Sequence, residues 1–121
     1  MFNVDVSVRD LDGHAVVALR GQLDLADAQS VASCLVAATT TSGPSVIVDL
    51  AAMEYIDSSG LGMLVRALKL ARECCGDLSL AAPQPQVRRI LDITGLTSVF
   101  SVYPSVEAAS AALPRALSGA G

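Results

Sequence analysis

At 121 residues, with 52% apolar side chains but only 3% aromatic and no Trp, the chain has material for one domain whose core is Val, Leu, Ile and Ala. Twelve acidic against eight basic residues, and no Lys/Arg cluster, argue against direct contact with nucleic acid. No apolar run reaches membrane-spanning length, which argues against membrane insertion. The start Met1-Phe2-Asn3-Val4-Asp5 lacks the regions of a signal peptide, so the expected address is the cytoplasm.

Val4, Val6 and Val8 alternate with Asp5, Ser7 and Arg9, predicting a strand with one buried face. Asp12-Gly13 is a hairpin turn signal. Residues 15–19 read as a second strand, apolar on both faces and ended by Gly21, so the first two strands form an antiparallel pair. Leu23-Asp24-Leu25 opens a helix with Asp24 as N-cap. Leu25, Ala28, Val31, Ala32, Leu35, Val36 and Thr39 fall on one side at helical spacing. Residues 46–50, apolar except for Asp49, suit a strand covered on both faces. Residues 51–55 read as a connector.

A second helix is predicted over 59–75, with Leu61, Leu64, Val65, Leu68, Ala71 and Cys75 inward and Gly76 closing its end. A short strand follows at 78–82. Pro85 suits the first turn of a third helix, which turns Val87, Ile90 and Leu91 inward and stops at Gly95. The last strand covers 99–103. Ser105 caps a final helix, broken near Pro114, with a frayed tail over about 115–121. The order β-β-α-β-α-β-α-β-α predicts an α/β fold over residues 1–121. It is a single mixed sheet, an N-terminal hairpin followed by parallel βα units, with the helices mainly on one face. Sites in such sheets form where parallel strands end and helices begin, an edge that collects 22–24, 56–62 and 82–85.

Catalytic chemistry is sparse. The only histidine, His14, sits beside the hairpin turn, far from the Asp57–Ser59 turn, so a Ser-His-Asp mechanism has no evident base. Ser58-Ser59-Gly60 lacks the first Gly of a nucleophile elbow. There is no Walker loop, dinucleotide fingerprint or metal-ligand spacing, so neither cofactor nor metal is expected. Cys34, Cys74 and Cys75 fit no zinc or disulfide pattern and read as reduced thiols; a redox role requires an exposed thiol of depressed pKa.

The stretch Ile56-Asp57-Ser58-Ser59-Gly60-Leu61-Gly62 organises the rest. Hydroxyls here lie at a strand-to-helix junction, among unpaired N–H groups and the positive end of the helix dipole. Helix capping accounts for one of Asp57, Ser58 and Ser59 and leaves two polar side chains over. Gly60 and Gly62 each cost about 1 kcal/mol against Ala inside a helix. Together these features suggest a contact site. Met63, Ala67, Leu70 and Cys74 form a second apolar stripe, either packed against neighbouring helices or running on from the turn as a docking surface.

The runs Val48-Asp49-Leu50 and Tyr55-Ile56-Asp57-Ser58-Ser59-Gly60-Leu61-Gly62 resemble the signature of the STAS-domain anti-sigma factor antagonists. Gly21-Gln22-Leu23-Asp24 and Leu91-Asp92-Ile93-Thr94-Gly95-Leu96 support it by position. The resemblance covers nearly the whole chain. It implies a protein that binds an anti-sigma factor with serine kinase activity and so frees a sigma factor. Phosphorylation on Ser58, with Ser59 as second choice, releases the complex, and a serine phosphatase restores it. Partner contacts are expected from Asp24, Asp57, Ser58, Ser59, Gly60, Leu61, Gly62 and Met63. The family often carries an acidic residue where this chain has Gln22. The alternatives are a STAS interaction module of a stress-signalling assembly or lipid transporter, and a small enzyme using Ser58 or Ser59.

Overall fold

The computed structural model describes residues 4–11, 13–23, 31–35, 37, 45–73 and 76–112, with residues 4, 22 and 23 described by backbone alone. Strands β1 (Val4–Leu11) and β2 (His14–Leu23) pair antiparallel. Leu11 opposite His14 leaves a two-residue loop, and Gly13 takes the left-handed φ of +86° that such a loop requires. The sheet continues in chain order through β3 (Ser45–Ile56), β4 (Asp77–Ala81) and β5 (Ser101–Tyr103), all parallel to β2.

The expected buried face of β1 is not buried. Val6 is 37% and Val8 50% exposed, because β1 is the outer strand and the main core cluster begins at β2. Gly21 does not end β2. It adopts a φ of +99° between two register shifts, and the strand runs on to pair Gln22 with Tyr55 and Leu23 with Ile56. Leu23 is therefore strand, not the opening of a helix; Asp24 lies outside the described residues. The connector expected over 51–55 is likewise strand. Ala and Glu are poor strand formers, but this stretch pairs with the continuation of β2, and tertiary pairing overrides propensity.

β4 accompanies β3 only as far as Asp49, so the far half of β3 overhangs the sheet. Its open edge is met by side chains from the next helical segment. Gln84 Nε2 donates to the Ala51 carbonyl at 2.7 Å, and Gln86 Nε2 donates to that of Glu54 at 3.2 Å. This satisfies carbonyls that an edge strand leaves open. It also seats the 82–85 loop beside the middle of the overhang rather than at its Ile56 tip, where a shared site edge was expected.

Helices α1 (31–35 and 37), α2 (Ser58–Glu73) and α3 (Pro85–Ile93) serve the parallel crossovers. Val31 and Leu35 of α1, Leu64 and Leu68 of α2, and Val87 and Leu91 of α3 share one core with Val17, Val48, Leu50 and Leu80 of the sheet. Pro85 occupies the first turn of α3 and Gly95, at φ +78°, follows its end. A 3-10 turn (Leu96–Ser98) leads into the last strand, which begins at Ser101 rather than at the expected Val99. Phe100 N–H donates to the Leu96 carbonyl at 2.9 Å while its ring is buried in the core. The last helix, α4 (Val106–Ala112), is capped by Ser105, whose hydroxyl accepts the Ala108 N–H at 3.0 Å. It follows the last strand, so no crossover rule holds it to the first face. Val106 and Ala109 pack with Val16, Ile47 and Ala81 on the opposite one. The helices thus lie mainly, not wholly, on one side. The expected break at Pro114 and the tail beyond lie outside the described residues.

Candidate functional site

Asp57 ends the β3 overhang and caps α2. Its Oδ1 accepts the Gly60 N–H and its carbonyl accepts the Leu61 N–H, both at 2.9 Å. That is the N-cap arrangement, and one carboxylate completes it. Ser58 and Ser59 then become the first two helical residues. Their hydroxyls are not needed for the cap, and their own N–H groups precede any intrahelical acceptor. Ser58 is exposed and Ser59 half-buried. The turn therefore presents a free-standing hydroxyl at a helix N-terminus.

Beneath it, Gly60, Leu61 and Met63 are buried, so they anchor the turn rather than face outward. Met63, only 3% exposed, and Ala67 belong to the same core cluster as Leu64. The Met63 and Ala67 part of the second apolar stripe of α2 is therefore packing; Leu70 is half-buried, and Cys74 lies outside the described residues. An α2 set this deeply into the protein hides more than a single helical stripe.

Gly62 differs from Gly60. It is exposed, and a Cβ added there meets nothing within 4 Å. Among the described residues, no neighbour requires glycine at this place. Gly62→Ala is expected to stabilise the fold by about 0.5–1 kcal/mol in urea denaturation, because Ala is the better helix former. If the missing side chain serves a partner's close approach, the same variant binds that partner more weakly. Stabilisation without loss of binding removes Gly62 from the contact surface.

Tyr55 was not among the expected contacts. It stands 49% exposed on the overhang, two residues before the cap, and pairs through its backbone with Gln22. Its signal was present in the sequence: one of four aromatic residues in the chain, placed immediately ahead of the turn. The pairing of Leu23 with Ile56 brings the end of β2 alongside the turn.

His14 begins β2 at the opposite end of the sheet from Ile56, so it has no access to Ser58. Both its ring nitrogens are buried without a hydrogen-bond partner among the described residues. Burial pushes the Cys34 thiol above its ordinary pKa, the opposite of what a redox-sensing thiolate requires. Among the described residues, no group of three or more His, Cys, Asp or Glu could hold a metal ion, and no helix is long and apolar enough to cross a membrane. A depression of about 470 Å³ lies on the sheet face by Ser7, Arg20 and Asp49, and none of the expected site residues lines it.

Comparison with known proteins agrees with this geometry. The family model of the STAS domain matches residues 5–109. A Bordetella bronchiseptica protein, BtrV, assigned as an anti-sigma factor antagonist, is 35% identical over 107 residues, covering 88% of this chain and 92% of that one. The crystal structure of an anti-sigma factor antagonist from Mycobacterium paratuberculosis superposes with a TM-score of 0.79 at 30% identity, covering 89% of this chain and 92% of that one. The phosphorylated form of SpoIIAA from Bacillus shares the fold at a TM-score of 0.68 and 19% identity, covering 90% of this chain and all of that one. The chain belongs to the STAS domain family and, within it, to the anti-sigma factor antagonists. This is a regulatory family rather than a catalytic one, defined by its action on anti-sigma factors.

Proposed function

We propose that this protein, as one cytoplasmic domain, binds an anti-sigma factor that is also a serine kinase, and that phosphorylation of Ser58 ends the complex. The observation that carries the reading is the division of labour at the turn. Asp57 alone caps α2, which leaves the exposed Ser58 hydroxyl without a structural duty. Transfer of the γ-phosphoryl group of Mg-ATP to the Ser58 oxygen releases ADP and adds about −1.5 to −2 charges. The fold tolerates that charge, since the first N–H groups of α2 and the helix dipole favour an anion there. A docked interface does not, because the phosphate lands beside the Asp57 carboxylate. Hydrolysis by a serine phosphatase returns the binding form.

The proposed contact surface comprises Asp57, Ser58, Ser59 and Gly62, with Tyr55 added and Asp24 retained from the family resemblance. Gly60, Leu61 and Met63 act from below by holding its shape. The protein itself performs no turnover in this scheme.

Incubation with the cognate kinase and Mg-ATP, followed by intact-mass measurement, tests the acceptor. One phosphoryl group is expected on the natural chain and none on Ser58→Ala. Modification that survives in Ser58→Ala but disappears in Ser59→Ala moves the acceptor one residue on. Hydrolysis of an ester substrate that disappears in Ser58→Ala restores an enzymatic role.

A further inference from the structure

The outer edge of the sheet carries a pattern that the Ser58 switch leaves unused. β1 is eight residues long, lies at the end of the strand order, and exposes every side chain from Asp5 to Asp10. Val6 and Val8 are among the few large apolar side chains left open to solvent. Long exposed edges invite pairing, and proteins usually blunt them with charged side chains, proline or a covering segment. Of the three charges on β1, Asp5 and Arg9 are of opposite sign and stand symmetrically before and after Ser7, and Asp10 is the third.

We infer that β1 pairs antiparallel with β1 of a second copy of this chain, about a two-fold axis at Ser7. The register follows from the backbone. The two-residue loop makes Leu11 and His14 a hydrogen-bonded pair, so Arg9, Ser7 and Asp5 also bond inward to β2. Val4, Val6, Val8 and Asp10 therefore aim their N–H and C=O groups at the open edge. With the axis at Ser7, Val6 bonds Val8 of the second copy, Val4 bonds its Asp10, and the reciprocal pairs complete the ladder. About eight backbone hydrogen bonds form. On one face Asp5 stands opposite the second copy's Arg9, and by symmetry Arg9 opposite its Asp5. On the other face the exposed valines pair with each other. Shifting the axis to Val6 or Val8 keeps a ladder but loses both charge pairs. The arrangement leaves each Ser58 turn free and sends the two turns to opposite ends of one continuous sheet.

Sedimentation velocity on the full chain over a concentration series tests this. A monomer–dimer equilibrium is expected. Arg9→Asp faces two like-charge pairs across the axis and raises the dimer Kd by about tenfold or more. Combining Asp5→Arg with Arg9→Asp restores opposite signs at both places and recovers most of the lost affinity, a result that nonspecific stickiness of the valines does not produce. Val8→Pro removes an outward N–H while sparing the ladder to β2, and is expected to be monomeric with unchanged circular dichroism. A natural chain that stays monomeric to concentrations on the order of 1 mM overturns the inference. So does a well-folded double charge swap that fails to recover dimerisation, or a Val8→Pro variant that dimerises as tightly as the natural chain.

Discussion

Ser58→Glu is expected to bind the cognate anti-sigma factor at least a hundredfold more weakly than the natural chain, a loss of about 2.7 kcal/mol. The carboxylate replaces a small neutral hydroxyl on the first helical residue, next to the Asp57 carboxylate that already serves as cap. In the free protein this is harmless. Negative charge in the first turn of a helix is favourable by about 0.3–1 kcal/mol, and Ser58 is open to water, so no desolvation accompanies the change. In the proposed complex the same group would be confined beside another carboxylate and stripped of its water. The variant should therefore match or slightly exceed the natural chain in thermal stability and keep its far-ultraviolet circular dichroism. Ser58→Ala separates charge from the mere absence of serine: it should bind about as well as the natural chain but no longer respond to kinase and ATP. Isothermal titration of the three proteins against the anti-sigma factor gives the comparison. Near-equal affinity for Ser58→Glu and the natural chain removes charge at this position as the release mechanism.

How much of this could be read from residues alone differed by region, and the physics of each region says why. Strand β4 and helices α2 and α3 carry their own punctuation: apolar runs, Pro85 in the first turn, Gly95 after the end. The turn was legible for a related reason. A capping carboxylate, two serines and two glycines crowd more polar and flexible residues into a strand-to-helix junction than the junction itself consumes. The overhang of β3 was not legible. Apart from Tyr55, nothing in Ala51-Ala52-Met53-Glu54-Tyr55 favours a strand; it becomes one because β2 continues past Gly21 to pair with it and because Gln84 and Gln86 meet its other edge. Those partners are distant in sequence and leave no mark on local composition.

The alternating valines of β1 show the converse limit. Their period signals a strand, and the strand is there, but period alone does not say whether the apolar face meets a helix, water or another molecule. α2 shows the same limit in reverse. Met63 and Ala67 lie off the main stripe, yet they are buried, because the depth at which the helix sits sets the width of its hidden face.

That depth makes Leu64→Ala a severely damaging truncation that leaves the turn untouched. Leu64 is fully buried near the start of α2, in the core that α1, α2 and α3 share with the sheet. Its replacement removes apolar surface and leaves a cavity, at a cost of about 3 kcal/mol. A domain of this size has roughly 5–15 kcal/mol in total, so the variant should fold but melt on the order of 10 °C lower. Val106→Ala supplies the contrast. It truncates a buried side chain in the small cluster on the other face, at the first turn of α4 where the helix can settle inward, and should cost about 1 kcal/mol. Urea titrations of both variants measure the difference through the midpoint, with an unchanged slope showing that the unfolding unit is the same. Because Leu64 lies less than two turns into the helix that carries Ser58, the variant also bears on the switch: a folded population of Leu64→Ala should still bind the anti-sigma factor, since Asp57 fixes the turn through its own cap. Equal losses from the two truncations contradict a core concentrated on the crossover side of the sheet. Loss of binding by a fully folded Leu64→Ala shows that the turn depends on the core beneath it more than on its cap.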